Sequence, residues 1–369
     1  MSDKICRWGI LGSAGIAKKN WQSIRNSGNG IVSGVASRSE ERAEAFINDC
    51  IQQVCVDPAP TAYGSYEAMI ESPDIDAVYI PLPTGLRKEW VLRAAAAGKH
   101  VMCEKPCGCD AGELEEMLAA CKQANVQFMD GVMFMHSKRL DALREVVDDG
   151  ETVGKIRRIH TQFSFCAPDD FLANDIRMNS DLEPLGCLGD LGWYTIRFTL
   201  WTMKYAMPKK VVGRLLDARG RADSPQPVPT EFSAEMFFED GVSASMYNSF
   251  ITEHQQLAHI SGTKGNVRLD DFVLPYFGNE VAFTASNAQF SQDVCDFHMK
   301  RFEKRIAVPE YADSHPTSQE TNLFRNFATL ANSGNPDESW GEIALKTQKV
   351  MEACVESARL GGEPVDMLI

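Results

Sequence analysis

The sequence predicts an α/β chain in two domains, a doubly wound parallel sheet followed by an α+β domain with a large, mainly antiparallel open sheet. Three observations carry this expectation. The chain has 369 residues, beyond the size at which a single hydrophobic core keeps growing. Short, mainly apolar runs alternate with helix signals through the first third, as parallel strands buried on both faces do. After about residue 150 the runs lengthen and alternate apolar with polar, the pattern of antiparallel strands with one covered face. The boundary is placed at 130, with residues 131–369 forming the second domain and the C-terminal helix free to pack back on the first.

The runs Cys6 to Leu11, Ile31 to Ala36, Ala77 to Leu82 and His100 to Cys103 read as buried strands, and Val126 to Met129 extends the set. Ser39 can cap a helix running through Phe46, and Asp110 with Glu113 forms a capping-box pattern ahead of Leu114, Met117 and Leu118. In the second half, Ile156 to Phe165, Ser233 to Glu239, Val242 to Phe250 and Ala258 to Leu269 read as strands of a meander. Asp240-Gly241 and Gly262 to Gly265 supply turns. Helices are expected over Gln319 to Ala331 and Glu342 to Leu360, the latter ended by Gly361-Gly362.

Hydrophobic residues make up 44% and charged residues 24% of the chain, so it should fold throughout. A net charge of -14 argues against nucleic acid and anionic membranes as partners, because both attract clustered positive charge. The N-terminal residues Met1 to Cys6 contain no apolar stretch of signal-peptide length. Eleven scattered cysteines, an odd number, suit free thiols in a reducing compartment, and the location is read as cytoplasmic. Cys103, Cys107 and Cys109 lack a second Cys or His pair at zinc-site spacing, so no metal is expected.

Gly9-Ile10-Leu11-Gly12-Ser13-Ala14-Gly15-Ile16-Ala17 follows the first strand and opens a helix. That is the setting of the Rossmann dinucleotide turn, where small residues let main-chain N–H groups and a helix N-terminus approach a pyrophosphate. Ala14 stands where the second glycine usually sits, and Ala17 at the third position. The second strand ends at Ser37-Arg38, with Arg42 nearby and no carboxylate to hold a ribose 2′-hydroxyl. A hydroxyl and a guanidinium suit a 2′-phosphate, so NADP is expected as cofactor, with NAD the lesser alternative. The ends of two further strands, Pro81-Leu82-Pro83-Thr84 and Glu104-Lys105, should face the same crevice, because ligands of such sheets bind beyond the strands' carboxyl ends.

These segments, together with Gly98 to Pro106, Asp130-Gly131-Val132-Met133 and Leu188-Gly189-Asp190-Leu191-Gly192-Trp193-Tyr194, resemble the Gfo/Idh/MocA family of oxidoreductases over nearly the whole chain. Asn174-Asp175-Ile176-Arg177 and Gly192-Trp193-Tyr194 are similar to the branch that contains plant members. The resemblance implies that Lys105 lies at the nicotinamide, that Tyr194 is the general acid or base, and that the chain pairs as a homodimer. The chemistry suits a small-molecule carbonyl or alcohol, with a sugar, polyol or dihydrodiol as the expected substrate class. A carbonyl gaining hydride needs a proton donor, and an ammonium group beside a phenol should lower its pKa from about 10. Asp190 lies four residues before Tyr194, on one helix face, and can orient Lys105 or substrate. Arg177, His136 and Trp193 are candidate substrate contacts, Trp193 by stacking on a sugar face. Two features depart from the family pattern: Arg87 replaces a common histidine, and Phe134-Met135-His136-Ser137 replaces an Arg-Phe-His-Pro run. Two other outcomes suit the same fold: a catalytically silent NADP-binding regulator and a redox-assisted glycosidase.

Overall fold

The computed structural model describes residues 4–367; Met1, Ser2 and Asp3, on which part of the leader reading falls, lie outside the described residues. The first half builds β1 (Cys6–Leu11), α1 (Gly15–Asn26), β2 (Gly30–Ala36), α2 (Glu40–Gln53), β3 (Thr61–Tyr63), α3 (Tyr66–Glu71), β4 (Ala77–Ile80), α4 (Thr84–Ala96), β5 (His100–Cys103), α5 (Ala111–Gln123) and β6 (Phe128–Asp130). These strands form one parallel sheet in the order β3-β2-β1-β4-β5-β6. The short strands β4, β5 and β6 are buried almost throughout because helices cover both faces. The helix starts follow side-chain chemistry. Ser39 accepts from the Arg42 N–H, and Asp110 from the Glu113 N–H at 2.8 Å, each satisfying a donor that the first turn leaves free.

A short 3-10 turn, Met133–His136, leads into α6 (Arg139–Asp148), β7 (Ile156–Cys166), α7 (Asp169–Asn174), α8 (Gly186–Asp190) and α9 (Gly192–Thr202). Then follow β8 (Lys210–Arg219), β9 (Val228–Phe237), β10 (Ser243–Ser249), β11 (Ile251–Gly262), β12 (Asn266–Leu269), β13 (Glu280–Asp293), β14 (Asp296–Pro309), α10 (Gln319–Ser333), α11 (Ser339–Arg359) and β15 (Val365–Asp366). The second sheet has nine strands in the order β14-β13-β12-β11-β7-β10-β9-β8-β15. It is not the meander expected. β7 comes first in the chain yet lies centrally, pairing antiparallel with β11 and parallel with β10. The chain leaves β7 through three helices and re-enters the sheet at β8, so the crossover replaces a hairpin.

Helix α9 is buried at every position and lies against β7 and β10. On the outer face of the sheet Ser243, Ser245 and Tyr247 stand opposite Arg158, His160 and Gln162, while Ala244 and Met246 point inward and are buried. Helix α10 crosses back to the first sheet. Its Phe324 and Phe327 meet Trp8 of β1 at ring-centroid distances of 5.2 and 4.8 Å, and Leu323 joins the same buried cluster.

One fully buried ion pair ties the halves together. Arg197 of α9 donates to Asp130 at the end of β6 at 2.6 Å, and both side chains are wholly inaccessible. The Trp193 indole N–H donates to the same carboxylate at 2.9 Å, and the Arg197 Nε–H to Thr347 of α11 at 2.8 Å. Removing one partner of such a pair leaves an uncompensated buried charge. Asp130→Ala is therefore expected to lower unfolding free energy by about 3–5 kcal/mol, measurable as a reduced urea midpoint; a change below about 1 kcal/mol, the size of an exposed pair, would refute this.

Candidate active site

The turn after β1 is shaped by backbone demands. Gly12 has φ +93°, a left-handed conformation that side chains disfavour, and a Cβ there would press to 3.1 Å on Leu82. Its N–H donates to the Ala36 carbonyl at 2.8 Å. Gly15 begins α1 with nothing within 4 Å of a Cβ position. Ala14 at the cap offers no side-chain acceptor, and no acidic residue stands in the first turn. The first-turn N–H groups of α1 therefore have no side-chain cap. Ser13 is exposed, Ile16 half-buried, and Ala17 packs in the core.

Ser37 is buried and donates its N–H to the Tyr63 carbonyl, while Arg38 and Arg42 are exposed. Both cations act on the Tyr66 phenol, which burial raises and the two guanidinium groups lower. The Tyr66 hydroxyl stands 3.5 Å from the Cβ position of Gly12. Arg38, Arg42, Tyr66 and the Gly12 turn thus share one rim. Tyr66 was not expected, and it sits on α3, which no periodicity in the sequence announces.

At the next strand end, Pro81 and Leu82 are buried and Pro83 caps α4. Thr84, expected on the cofactor, is turned to another task. Its N–H and hydroxyl donate to Glu183 at 3.1 and 2.6 Å, and its hydroxyl accepts from Arg87 at 3.0 Å. With its polar atoms so engaged and its side chain buried, it has no group left for a ligand. Arg87 is likewise a structural cation, donating to the carbonyls of Leu82 and Pro106. Glu104 is buried and accepts the Tyr79 hydroxyl proton at 2.6 Å.

Lys105, Asp190, Arg177 and Tyr194 come together. Glycine at 189 permits this approach, because a Cβ there would meet Leu185 at 2.9 Å and Pro106 at 3.3 Å, and so hold α8 off the Lys105-Pro106 loop. The Lys105 Nζ donates to Asp190 Oδ1 at 2.6 Å and to the Asp190 carbonyl at 2.7 Å. Arg177 Nε lies 2.9 Å from Asp190 Oδ2 and Arg177 Nη1 3.2 Å from Asp175 Oδ1. The Lys105 ammonium also lies over the Tyr194 ring, 4.7 Å from its centroid. Asp190 and Tyr194 are not on one continuous helix as expected. Asp190 ends α8 and Gly192 opens α9, with Leu191 at φ -103° between them.

Burial pushes the Asp190 carboxyl up, but Arg177 and Lys105 outweigh it and hold the group well below the usual carboxylate range. Asp190 in turn raises Arg177. The Tyr194 phenol is raised well above its ordinary value, first by burial and then by the carboxylates of Glu104 and Asp190. This corrects the expectation of a lowered phenol. The ammonium that should stabilise a phenolate is already paired with Asp190 and meets the ring face. No described residue hydrogen-bonds the Tyr194 hydroxyl.

Two expected substrate contacts lie elsewhere. Trp193 is wholly buried with its indole on Asp130, so it has no free face for a sugar. His136 is buried, stacked on Trp340 with centroids 4.7 Å apart, and its Nδ1 faces the Asn326 amide at 3.0 Å. Burial and Arg197 push its pKa down to about 3, so it is neutral packing rather than a polar ligand. Arg177 is the one that remains partly open, above the Phe171 ring at 5.9 Å. Among the described residues no three His, Cys, Asp or Glu side chains group as a metal would need, and no helix is long and apolar enough to cross a membrane.

A parallel nucleotide-binding sheet with an open glycine turn, and a lysine and tyrosine beyond its strand ends, define a nicotinamide-dependent oxidoreductase. Residues 6–132 match the oxidoreductase family with NAD-binding Rossmann fold, and residues 140–268 match the GFO/IDH/MocA C-terminal domain. The chain belongs to this Gfo/Idh/MocA family. It is 29% identical over 357 residues to D-xylose 1-dehydrogenase (NADP(+)) 2 of Haloferax volcanii, covering 96% of this chain and 98% of that one. It is 31% identical over 274 residues to trans-1,2-dihydrobenzene-1,2-diol dehydrogenase of Mus musculus, covering 73% and 76%. Its fold is similar to that of KijD10, a 3-ketoreductase from Actinomadura kijaniata solved with NADP and TDP-benzene, with TM-score 0.80, 24% identity and coverage of 96% and 98%.

Proposed function

We propose that the chain is an NADP-dependent dehydrogenase or reductase acting between a nicotinamide and a small sugar, polyol or dihydrodiol, with Tyr194 supplying the proton. The observation that carries this reading is the Lys105 ammonium, held by Asp190 and laid on the ring face of a phenol whose hydroxyl hydrogen-bonds no described residue. The residues present fit the dinucleotide. The uncapped α1 terminus beside Gly12 suits a pyrophosphate, and Arg38 with Arg42 suits a 2′-phosphate on the same rim. When bound, NADP would supply the hydride-transfer chemistry.

The chain's own part is to hold and move a proton. With its pKa raised, Tyr194 keeps its hydroxyl proton at neutral pH and can donate it to the oxygen of a carbonyl as negative charge develops there. Lys105, held by Asp190, lies against the ring face and fixes where the phenol points. Arg177, partly exposed and paired with the carboxylates of Asp175 and Asp190, is placed to orient a substrate hydroxyl. The relatives named xylose and dihydrodiol dehydrogenases support a polyhydroxylated substrate class.

The test is NADPH oxidation at 340 nm over aldoses, ketoses, dicarbonyls and dihydrodiols, with the reverse reaction run on NADP. Turnover on one class supports the reading, and tight NADPH binding with none would favour a silent regulator. Arg38→Ala is expected to raise the NADPH KM roughly ten- to a hundredfold through loss of charge-assisted bonds, with the NADH KM nearly unchanged. Equal effects on both cofactors would reject the 2′-phosphate assignment.

We further propose a homodimer joined through the outer face of the nine-stranded sheet, in the cytoplasm, where the described cysteines, all free, stay reduced. The flat rows of Ser243, Ser245 and Tyr247 against Arg158, His160 and Gln162 give that face a surface on which a second sheet can stack.

A further inference from the structure

The cations of this chain differ in what stands beside them. At the rim of the Gly12 turn, Arg38 and Arg42 are exposed, and neither pairs with a described carboxylate. Beside Tyr194 the reverse holds. The two oxygens of Asp190 take one cation each, Oδ1 the Lys105 ammonium at 2.6 Å and Oδ2 the Arg177 Nε at 2.9 Å. Arg177 Nη1 lies 3.2 Å from Asp175 Oδ1. Further out, Arg221 donates to the Asn174 carbonyl at 3.2 Å and forks onto both oxygens of Asp223 at 2.5 and 2.7 Å. Arg87 is turned onto main-chain carbonyls and Glu183.

None of these four cations is left without a carboxylate. The Glu104 carboxylate, whose charge reaches the Tyr194 phenol, adds a further negative group. A phosphate is bound well by a guanidinium fork that is free to meet it. Here the Arg177 fork is already engaged on two sides, and an entering anion would face Asp175 at close range.

What the cleft leaves open is a donor beside an acceptor. No described residue hydrogen-bonds Arg177 Nη2 or Asp175 Oδ2, and the two side chains are 38% and 27% exposed. The pair is held still. The Asp175 N–H donates to the Phe171 carbonyl at 3.0 Å, and Asp175 Oδ1 accepts the Arg177 N–H at 2.9 Å. Phe171, beneath the guanidinium, packs on Phe165 and Phe250 at centroid distances of 5.4 and 5.3 Å. A vicinal diol offers the complementary set, one hydroxyl oxygen to accept from the guanidinium and one hydroxyl proton to give to the carboxylate. An ionised phosphate ester offers acceptors only. The Arg177 charge also acts on the Tyr194 phenol, so a diol held there lies close to the proton donor.

We propose that Asp175 sets the charge of the substrate: it offsets Arg177 and presents with it an acceptor and a donor to a vicinal diol, so that uncharged polyols are accepted and their phosphate esters rejected. This rests on the dehydrogenase reading above and deepens it by fixing the substrate's charge. The experiment measures kcat/KM for matched pairs, D-glucose against glucose 6-phosphate with NADP and D-fructose against fructose 6-phosphate with NADPH, in wild type, Asp175→Asn and Asp175→Glu. Wild type is expected to favour the neutral member by about a hundredfold or more, and Asp175→Asn to narrow that preference roughly tenfold through loss of one nearby charge. Asp175→Glu, which keeps the charge, should hold the wild-type ratio. A wild type that takes both members equally well overturns the proposal and leaves the dehydrogenase reading standing. Equal losses on both members in Asp175→Asn, or the same narrowing in Asp175→Glu, make Asp175 a structural residue and overturn it too. If neither pair turns over, inorganic phosphate is titrated into the NADP-saturated chain and followed by broadening of its 31P resonance. Binding that appears only in Asp175→Asn supports the charge assignment even as the dehydrogenase reading fails. Binding in wild type, or in neither chain, overturns it.

Discussion

Tyr194→Phe is expected to reduce turnover by about 10²–10⁴-fold, the usual contribution of a positioned general acid, while NADPH binding stays within a factor of about two, since no contact with the dinucleotide turn is lost. The structure motivates the size of this effect. The phenol is buried among aromatic side chains, with Phe134 and Phe163 at centroid distances of 6.2 and 5.7 Å, so bulk water has poor access to replace the lost proton donor. The ring of the variant fills the same space, which separates loss of the hydroxyl from loss of packing. Turnover within threefold of wild type, over the substrate panel that shows activity, would remove Tyr194 from the proton path. A retained rate with altered pH profile would point to a bound water as donor.

The second large effect is expected at Lys105. Lys105→Ala leaves Asp190 with Arg177 as its only cation, in a position where burial opposes the carboxylate. Activity should fall by at least about a hundredfold as Asp190 and the Tyr194 ring lose the group that holds them in register. Lys105→Arg should recover little, because a planar fork cannot reproduce two short bonds from one ammonium to Asp190 Oδ1 and its carbonyl. Asp190→Asn offers a complementary reading. The depressed carboxyl contributes stability that is present above the unfolded carboxylate pKa of about 4 and lost as pH falls through the lower folded value. The difference in stability between wild type and Asp190→Asn should therefore shrink as pH drops below about 4. A difference that stays constant down to acid pH would show that the carboxylate is not stabilised by its two cations.

The parallel half of the fold was legible because its strands are largely apolar and its first turn is glycine-marked: β1 begins and ends at Cys6 and Leu11, as the apolar run does. The β13–β14 hairpin left no comparable signal, since most of its residues are polar and face solvent on both sides. At the site, residue types and spacing pointed to Lys105, Asp190 and Tyr194, which the fold brings into contact. What could not be read was environment. Trp193 looks like a sugar platform in sequence, but Asp130, 63 positions earlier, takes its indole N–H, and the ring is wholly buried. Thr84 was assigned to the cofactor from its place after a strand, and its hydroxyl is taken by Glu183, 99 positions on. The Tyr194 phenol shows the same limit, because an ammonium nearby in sequence logic is already neutralised by Asp190 in space.

The return of α10 to the first sheet bears on how this protein can be taken apart. Trp8, at the centre of the nucleotide-binding sheet, is covered by Phe324 and Phe327, which the ribosome adds some three hundred residues later. The cofactor half is therefore not a cassette. Transplanted between relatives at the apparent boundary near residue 130, it would arrive with an indole and a strand of apolar side chains uncovered, and a chimera can work only if α10 travels with the sheet it seals.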